Sequence, residues 1–109
     1  MVELSKGVTK KILTPGEAGD CPVKGQEVLV NYEGRLQDGT IFDSSYDREA
    51  LKVIIGVGQV IKGWDVGIMS MKLGEKAELT IDSEHAYGAM GSPPTIPPHA
   101  TLIFTVELI

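Results

Sequence analysis

The side chains that most often perform nucleophilic or metal chemistry occur here without the neighbours that such chemistry needs. Ser44 and Ser45 follow Asp43, but no Gly-x-Ser-x-Gly turn presents either hydroxyl as a nucleophile. His85 and His99 have no cysteine or further histidine at ligand spacing, which argues against a metal site. The sequence therefore predicts neither a Ser/His/Asp triad nor a bound metal or cofactor.

Two further candidates for chemistry are also weak. Gly56-Val57-Gly58 has the start of a phosphate-binding loop, but Ile61 stands where the third glycine belongs and Lys62-Gly63 completes no Walker pattern. A bend in a strand is the simpler interpretation. Cys21 lies beside Pro22 with no neighbour that would activate its thiol. We therefore expect a function that needs no nucleophile.

Five short motifs stand out together, in a fixed order along the chain. They are Val30-Asn31-Tyr32-Glu33-Gly34, Gly39-Thr40-Ile41-Phe42-Asp43-Ser44-Ser45, Gly58-Gln59-Val60-Ile61-Lys62-Gly63-Trp64, Ala86-Tyr87-Gly88 and Ile96-Pro97-Pro98-His99-Ala100-Thr101-Leu102-Ile103-Phe104. With these motifs in register, essentially the whole chain closely resembles the FKBP family. Members of that family are peptidyl-prolyl cis-trans isomerases that bind the macrolides tacrolimus and rapamycin.

The resemblance implies a proline-binding pocket whose residues carry over one by one. It implies that the Ile61 amide and the Tyr87 hydroxyl donate hydrogen bonds to ligand carbonyls, that Asp43 takes a polar ligand group, and that Trp64 forms the floor. Five of the six aromatic residues then belong to the pocket, and only Tyr46 lies outside. The implied catalytic residues are Tyr32, Phe42, Asp43, Ile61, Trp64, Tyr87 and Phe104, and the substrate- and drug-binding set adds Leu51, Gln59, Val60, Thr95 and Ile96.

The chain departs from the family pattern along one rim of this pocket. Leu51 stands where many relatives have phenylalanine, after a one-residue deletion near Glu49-Ala50. Ser92 and Thr95 occupy positions where other members often carry histidine and isoleucine. These changes shrink or polarise the rim, and they leave ligand affinity and sequence preference open.

Each pocket residue also has a purely structural interpretation. Trp64, Tyr32 and Phe104 would ordinarily be core residues, and Arg48 could pair with Asp43 and make that carboxylate structural. The five motifs in register favour the pocket over these alternatives. For Leu51 and Thr95 the two interpretations remain equally open.

The elements that must position these residues are mainly strands. Apolar and polar residues alternate over 27–33, 76–82 and 101–108, a pattern typical of antiparallel strands with one buried face. A fourth strand is expected over 8–13 and a short one over 51–55. Asp38-Gly39 suits a tight turn.

A single segment has the period of a helix. From Ile61 to Met69 the apolar residues Ile61, Trp64 and Ile68 follow at spacings of three and four, and Gly74 closes the helix or begins the next turn. One short helix cannot cover both faces of a sheet. The sequence thus predicts an α+β fold: a curved antiparallel sheet of about five strands around one short helix, in a single domain over residues 1–109.

The segment from His85 to Ala100 differs from the rest of the chain. It carries two glycines and four prolines, so we expect a long loop that the proline rings stiffen. Long ordered loops in small domains are often functional, which fits the presence of Tyr87 and Ile96 here.

Composition limits the partners and the compartment. The 109 residues carry fifteen acidic against ten basic side chains, a net charge of −5, which argues against a nucleic-acid binder. One cysteine forms no internal disulfide, and no segment is long and apolar enough for a signal peptide or a membrane span. We expect a monomer in the cytoplasm, although the strand-like end at Ile109 also suits a domain of a longer protein.

The leading functional hypothesis is an isomerase of X-Pro bonds that assists protein folding. A pocket that favours the twisted amide needs no covalent step, in agreement with the missing nucleophile. The alternatives are a binding module that recognises proline-containing partners without turnover, and one domain of a co-chaperone-like protein. The expected partners are proline-containing polypeptides and the two macrolides, and a drug complex could capture a phosphatase or kinase as in the family.

Overall fold

The structure is a computed structural model that describes residues 1–17, 19–46, 48–92 and 95–109. Within these residues it contains seven strands, one α-helix and one 3₁₀ turn at Ser83–His85. The strands and the helix are β1 (Val2–Ser5), β2 (Val8–Thr14), β3 (Glu27–Leu36), β4 (Ile41–Ser44), β5 (Leu51–Ile54), α1 (Lys62–Ile68), β6 (Lys76–Ile81) and β7 (Leu102–Leu108).

All seven strands join in one antiparallel sheet, in which six follow the order β1-β2-β6-β7-β3-β4 and β5 pairs with β3. The long strand β3 pairs with β7 along one edge, and along its other edge it pairs first with β5 and then with β4. In this register Phe104 on β7 lies opposite Leu79 on β6 and Gly34 on β3. The strand β7 therefore connects the two halves of the sheet.

Alternation along the central strands separates a buried face from a polar one. On β6 the buried side chains are Ala77, Leu79 and Ile81, and on β7 every second residue from Leu102 to Leu108 is buried. The helix α1 covers this face. A Cβ at Gly63 would lie 2.5 Å from Ile81, and one at Gly67 would lie 2.5 Å from Leu79. Two glycines on one side of the helix therefore allow its backbone to approach the sheet closely.

The α+β architecture with a sheet around one helix is confirmed, but the strand count is seven instead of about five. The additional strands are β1, whose residues are exposed or half-buried, and β4, a four-residue strand beside β3. The helix begins at Lys62, with Ile61 at its N-cap. The Gly56–Gly58 segment forms a turn between β5 and α1, with φ of 84° at Gly56 and 77° at Gly58, and is not a bend within a strand.

The long loop before β7 is held by its own backbone. Ser92 and Ile96 exchange two hydrogen bonds, of 2.8 and 2.9 Å, which closes the loop on itself. The expected stiffening by Pro93 and Pro94 concerns residues outside the described part of the chain. Within the described ranges no helix has the length and apolar character needed to cross a bilayer.

Candidate functional site

A cleft of about 440 Å³ opens between the inner face of the sheet, the N-terminal end of α1 and the loop that follows β6. Its lining combines aromatic rings, aliphatic side chains and a single carboxylate. The lining residues are Tyr32, Phe42, Asp43, Leu51, Gln59, Val60, Ile61, Trp64, Tyr87 and Phe104.

Three buried rings form the aromatic floor of the cleft, namely those of Tyr32, Trp64 and Phe104. The centroid of Trp64 lies 5.0 Å from that of Tyr32 and 5.3 Å from that of Phe104, with interplanar angles of 74° and 82°. Such edge-to-face contacts are the arrangement that the ring quadrupoles prefer. Because each ring packs on its neighbours, the aromatic floor is apolar and preorganised.

The wall beside the aromatic floor depends on a glycine. Phe42 packs edge-to-face on Phe104 with their centroids 5.6 Å apart. A Cβ at Gly34 would lie 2.6 Å from the tip of the Phe42 ring and 2.8 Å from Phe104. A residue larger than glycine at position 34 would therefore push the rings of Phe42 and Phe104 apart. Gly34 belongs to the first motif, but the sequence offered no reason for its being glycine.

The polar side of the cleft is a connected group of three side chains, which we call the polar wall. The Tyr32 hydroxyl donates to Asp43 Oδ2 at 2.6 Å, and Arg48 Nη2 donates to Asp43 Oδ1 at 2.7 Å. Arg48 Nε also donates to the carbonyl of Ser44 at 3.0 Å. Arg48 and Asp43 therefore do pair, yet 44% of the Asp43 side chain stays exposed. The carboxylate is oriented by its partners and remains accessible from the cleft.

The polar wall also controls the protonation of Tyr32. Burial, the hydrogen bond to Asp43 and the negative charge of Asp43 raise the pKa of Tyr32 to about 12, against a smaller opposing effect of Arg48. An ordinary tyrosine is already protonated at neutral pH, and the raised pKa extends the protonated range of Tyr32 to strongly alkaline pH. Tyr32 serves the cleft as a neutral ring whose hydroxyl is already engaged.

The turn before α1 presents Gln59, Val60 and Ile61 to the cleft, and Asp65 on the helix holds that turn. Asp65 Oδ1 accepts from the amide of Gly56 at 2.7 Å, and Oδ2 accepts from that of Gly58 at 3.0 Å. Gln59 Oε1 accepts from the amide of Ile54 at 2.8 Å. Sequence reasoning missed Asp65. The available signal was an acidic residue in the first turn of a helix that follows a glycine-rich segment.

Two residues form the more open side of the cleft. Tyr87, in the loop after β6, is 42% exposed, and burial together with the charge of Asp43 raises its pKa. Leu51, at the start of β5, is 37% exposed. The hydroxyl of Tyr87 thus lies within the electrostatic influence of the polar wall, whereas Leu51 offers only apolar surface.

Ten of the twelve residues predicted for the pocket line the cleft, and two do not. Thr95 is exposed in the loop, and Ile96 is buried at 4% exposure as part of the core. Ile96 also pairs through its backbone with Ser92. Tyr46 lies outside the cleft as expected, with Lys76 Nζ 5.7 Å from its ring centroid.

A second and larger cavity, of about 680 Å³, lies at the other end of β3 and β7 and shares no residue with the cleft. Its lining includes Asp20, Cys21, Glu27, Lys52 and Ile109, and it contains no aromatic ring. Proline rings pack well on aromatic faces, so the smaller cleft is the better candidate for the functional site.

Comparisons with known proteins agree on one family. The model of the FKBP-type peptidyl-prolyl cis-trans isomerase family matches residues 19–109. FK506-binding protein 1A of Aspergillus fumigatus is 56% identical over 104 residues, which cover 94% of this chain and 93% of that protein. An FK506-binding protein of Neisseria meningitidis serogroup C is 61% identical over 92 residues, 84% of each chain.

A longer relative also matches. Peptidyl-prolyl cis-trans isomerase FKBP4 of Mus musculus is 50% identical over 104 residues, which are 94% of this chain but 23% of the mouse protein. The family to which the five motifs pointed is therefore confirmed by its own model and by relatives that align along almost the whole chain. The chain belongs to the FKBP-type peptidyl-prolyl cis-trans isomerases, and it is an enzyme that accelerates rotation about X-Pro peptide bonds.

Proposed function

We propose that this isomerase reaction takes place in the aromatic cleft, on proline residues of polypeptide substrates, and that it is entirely non-covalent. The observation that carries the proposal is the set of three packed rings, in which Trp64 contacts the other two edge-to-face, beside a single oriented carboxylate. The aromatic floor offers an apolar surface to the compact, apolar proline ring. The cleft thereby combines a dry surface for the ring with few polar groups to orient the amide.

The chemistry of the amide explains why such a cleft accelerates rotation. Resonance gives the X-Pro bond partial double-bond character and a rotation barrier of about 18–20 kcal/mol. In the planar amide the oxygen carries negative charge that water stabilises, whereas in the twisted amide this charge is reduced. A cleft that excludes water therefore disfavours the planar form relative to the twisted one. A reduction of the barrier by about 5–8 kcal/mol corresponds to roughly 10⁴–10⁶-fold acceleration.

Within this mechanism most of the lining residues have a physical task. Trp64, Phe104 and Phe42 hold the proline ring, while the Ile61 amide and the Tyr87 hydroxyl donate to substrate carbonyls and so orient the substrate chain. Asp43 accepts a polar group of the ligand on the opposite side. The exposed fraction of its carboxylate and the engaged hydroxyl of Tyr32 support this division of roles.

The same cleft is proposed to bind tacrolimus, which is FK506, and rapamycin. Relatives that align over most of this chain are FK506-binding proteins by name, and the family resemblance extends to both macrolides. A macrolide covers more of the rim than a proline does, so Leu51 and the loop with Ser92 and Thr95 would determine whether the drug complex recruits a phosphatase or kinase. In the cell we propose a cytoplasmic monomer that assists the folding of proline-containing chains.

The test measures isomerisation and binding on one protein. A peptide with one X-Pro bond should equilibrate much faster with the folded enzyme than alone. The fluorescence of Trp64, the only tryptophan, should change on saturation with tacrolimus. Asp43→Val should weaken tacrolimus binding more than it slows isomerisation, whereas Phe104→Tyr, which adds a hydroxyl to the aromatic floor, should slow isomerisation.

Each variant must first show wild-type unfolding behaviour. Activity that survives complete filling of the cleft by tacrolimus, or a tryptophan signal that does not respond to the drug, would contradict the assignment of catalysis to this cleft.

A further inference from the structure

Asp82, directly after β6, begins the loop that carries Tyr87, and its position is fixed by the turn between β1 and β2. The amide of Asp82 donates to the carbonyl of Gly7 at 2.8 Å. Gly7 has a φ of 87°, and a Cβ at this position would overlap the carboxylate of Asp82. A glycine turn from another part of the chain therefore packs against the Asp82 side chain.

The Asp82 carboxylate in turn holds His85 by two hydrogen bonds, which we call the Asp82–His85 clip. Oδ1 accepts from the backbone amide of His85 at 3.1 Å and lies 2.7 Å from its ring Nδ1. Because an ionised carboxylate only accepts hydrogen bonds, Nδ1 carries the proton in this contact. The clip closes the 3₁₀ turn Ser83–His85 from its N-terminal side.

This turn supports the backbone on both sides of Tyr87. The carbonyl of Ser83 accepts from the amide of Ala86 at 3.1 Å and from that of Gly88 at 2.7 Å. On the far side, the amide of His99 donates to the carbonyl of Gly88 at 3.1 Å. Tyr87 thus lies between two residues that are bonded to the clipped turn, and its side chain reaches the cleft.

We propose that His85 is a positioning residue for the isomerase reaction: through its Nδ1 bond to Asp82 it fixes the turn that aims the Tyr87 hydroxyl into the cleft. This inference rests on the proposed role of Tyr87 as a donor to the substrate carbonyl. Only 24% of the His85 side chain is exposed, and the ring does not line the cleft. Its influence on the substrate therefore passes through the turn and Tyr87.

The test is a double-mutant cycle between His85 and Tyr87. His85→Leu and His85→Gln remove the donor at the Nδ1 position, whereas the amide of His85→Asn can replace it. Tyr87→Phe removes the hydroxyl that the clip is proposed to aim. His99→Asn is the matched control, because His99 is an exposed histidine of the same loop, and asparagine tolerates its φ of 57°.

For each variant kcat/KM on an X-Pro peptide, the Kd for tacrolimus and the free energy of unfolding are measured. We expect His85→Leu and His85→Gln to lower kcat/KM about threefold to tenfold, as for the loss of one hydrogen bond. His85→Asn and His99→Asn should stay near wild type. In the Tyr87→Phe background His85→Leu should lower kcat/KM little further, because the hydroxyl that His85 positions is already absent.

If the losses of kcat/KM from His85→Leu and Tyr87→Phe multiply in the double variant, the inference is overturned. It is also overturned if His85→Asn lowers kcat/KM as much as His85→Leu and His85→Gln do. A drop in stability without loss of kcat/KM would assign a purely structural role to His85 and would also overturn it. If Tyr87→Phe alone has wild-type activity, the proposed role of Tyr87 fails as well. That result is distinct from multiplying losses, which leave the role of Tyr87 intact.

Discussion

The hydroxyl of Tyr32 donates a hydrogen bond of 2.6 Å to Oδ2 of Asp43, so a ring of the aromatic floor is bonded directly to the carboxylate of the polar wall. The two residues lie on neighbouring strands, β3 and β4, and the bond spans the cleft side of that pair. The residue that contacts an apolar ring of the ligand is therefore coupled to the residue that accepts a polar group of the ligand. A change at either residue alters the other.

The first prediction concerns the titration of Tyr32. Its pKa is raised from the ordinary value of 10.0 to about 12 by burial and by Asp43. Between these values the unfolded chain loses the proton and the native protein retains it, so the stabilisation is complete below about pH 10 and is lost as pH rises through 12. Tyr32→Phe should remove the part of this decline that Tyr32 contributes, since the raised pKa values of Tyr46 and Tyr87 leave a decline of their own. Urea denaturation across that range measures the free energy of unfolding.

Tyr46→Phe is the control for this titration, because the pKa of Tyr46 is also raised but by burial and the charges of Glu107 and Glu33. The tyrosinate absorbance step near pH 12 should persist in Tyr46→Phe and vanish in Tyr32→Phe. An absorbance step near pH 12 that persists in Tyr32→Phe would contradict the assignment of this pKa to Tyr32.

The second prediction concerns Asp65, which holds the turn before α1 through the amides of Gly56 and Gly58. Asp65→Asn keeps one acceptor oxygen but directs an NH₂ group at a backbone donor. We expect kcat/KM to fall about fivefold to tenfold, because Val60 and Ile61 lose their fixed position. The measurement is the rate of X-Pro isomerisation at low substrate concentration.

Asp38→Asn provides the matched control for Asp65→Asn. Asp38 likewise accepts from a turn amide, that of Thr40 at 2.9 Å, but it lies in the β3–β4 turn and does not line the cleft. Equal losses of kcat/KM in the two variants would contradict a specific role for Asp65.

The third prediction concerns the rim residue Leu51. Leu51→Phe adds an aromatic ring to the cleft wall, and the additional apolar contact should tighten tacrolimus binding about twofold to fivefold. Ile54→Phe is the control on the same strand, because Leu51 and Ile54 are each 37% exposed but only Leu51 lines the cleft. Titration of Trp64 fluorescence measures both affinities. If only Ile54→Phe bound tacrolimus more tightly, an added ring at the rim could not be the cause of the tighter binding.

The fourth prediction concerns the contact between α1 and the sheet. Alanine ordinarily favours a helix over glycine by about 1 kcal/mol. At Gly67, however, the new Cβ would lie 2.5 Å from Leu79 Cδ1. Overpacking should prevail, and Gly67→Ala should lower the free energy of unfolding by about 1–3 kcal/mol.

Chemical denaturation gives the sign of the Gly67→Ala effect directly. Lys62→Ala, at an exposed position of the same helix, should change stability by at most about 0.5 kcal/mol. A higher free energy of unfolding for Gly67→Ala would contradict the prediction, because it would show that the Leu79 side chain can move to accommodate the new methyl group.

The sequence predicted the fold wherever one face of an element is buried. Leu79 and Phe104 lie on inward faces, and the burial that they share is what produces alternation of period two. The strand β1 escaped prediction because Val2 and Glu3 are exposed and the strand pairs only with β2. No burial pattern marks such an edge strand, whose existence depends on hydrogen bonds to a neighbour.

The residues of the cleft were predicted by motif, and what the motifs missed depends on backbone geometry. Asp65 matters because two turn amides converge on it, and Gly34 matters because two rings meet above it. Neither set of contacts produces a periodic pattern in the sequence from which it could be predicted. Ile96 differs from the other predicted residues, since its apolar side chain suited a pocket but it is buried in the core beside a loop closed by the pairing with Ser92.

The position of β7 between β6 and β3 has a consequence for the order of events during synthesis. Without β7 the sheet divides into a group of β1, β2 and β6 and a group of β3, β4 and β5, and no strand before Leu102 joins the two groups. Tyr32 belongs to the second group and contacts the Trp64 ring directly, and both rings pack beside Phe104 of β7. Such non-local pairing delays folding until the distant partner is available. The enzyme should therefore gain its activity only once Leu108 has left the ribosomal exit tunnel.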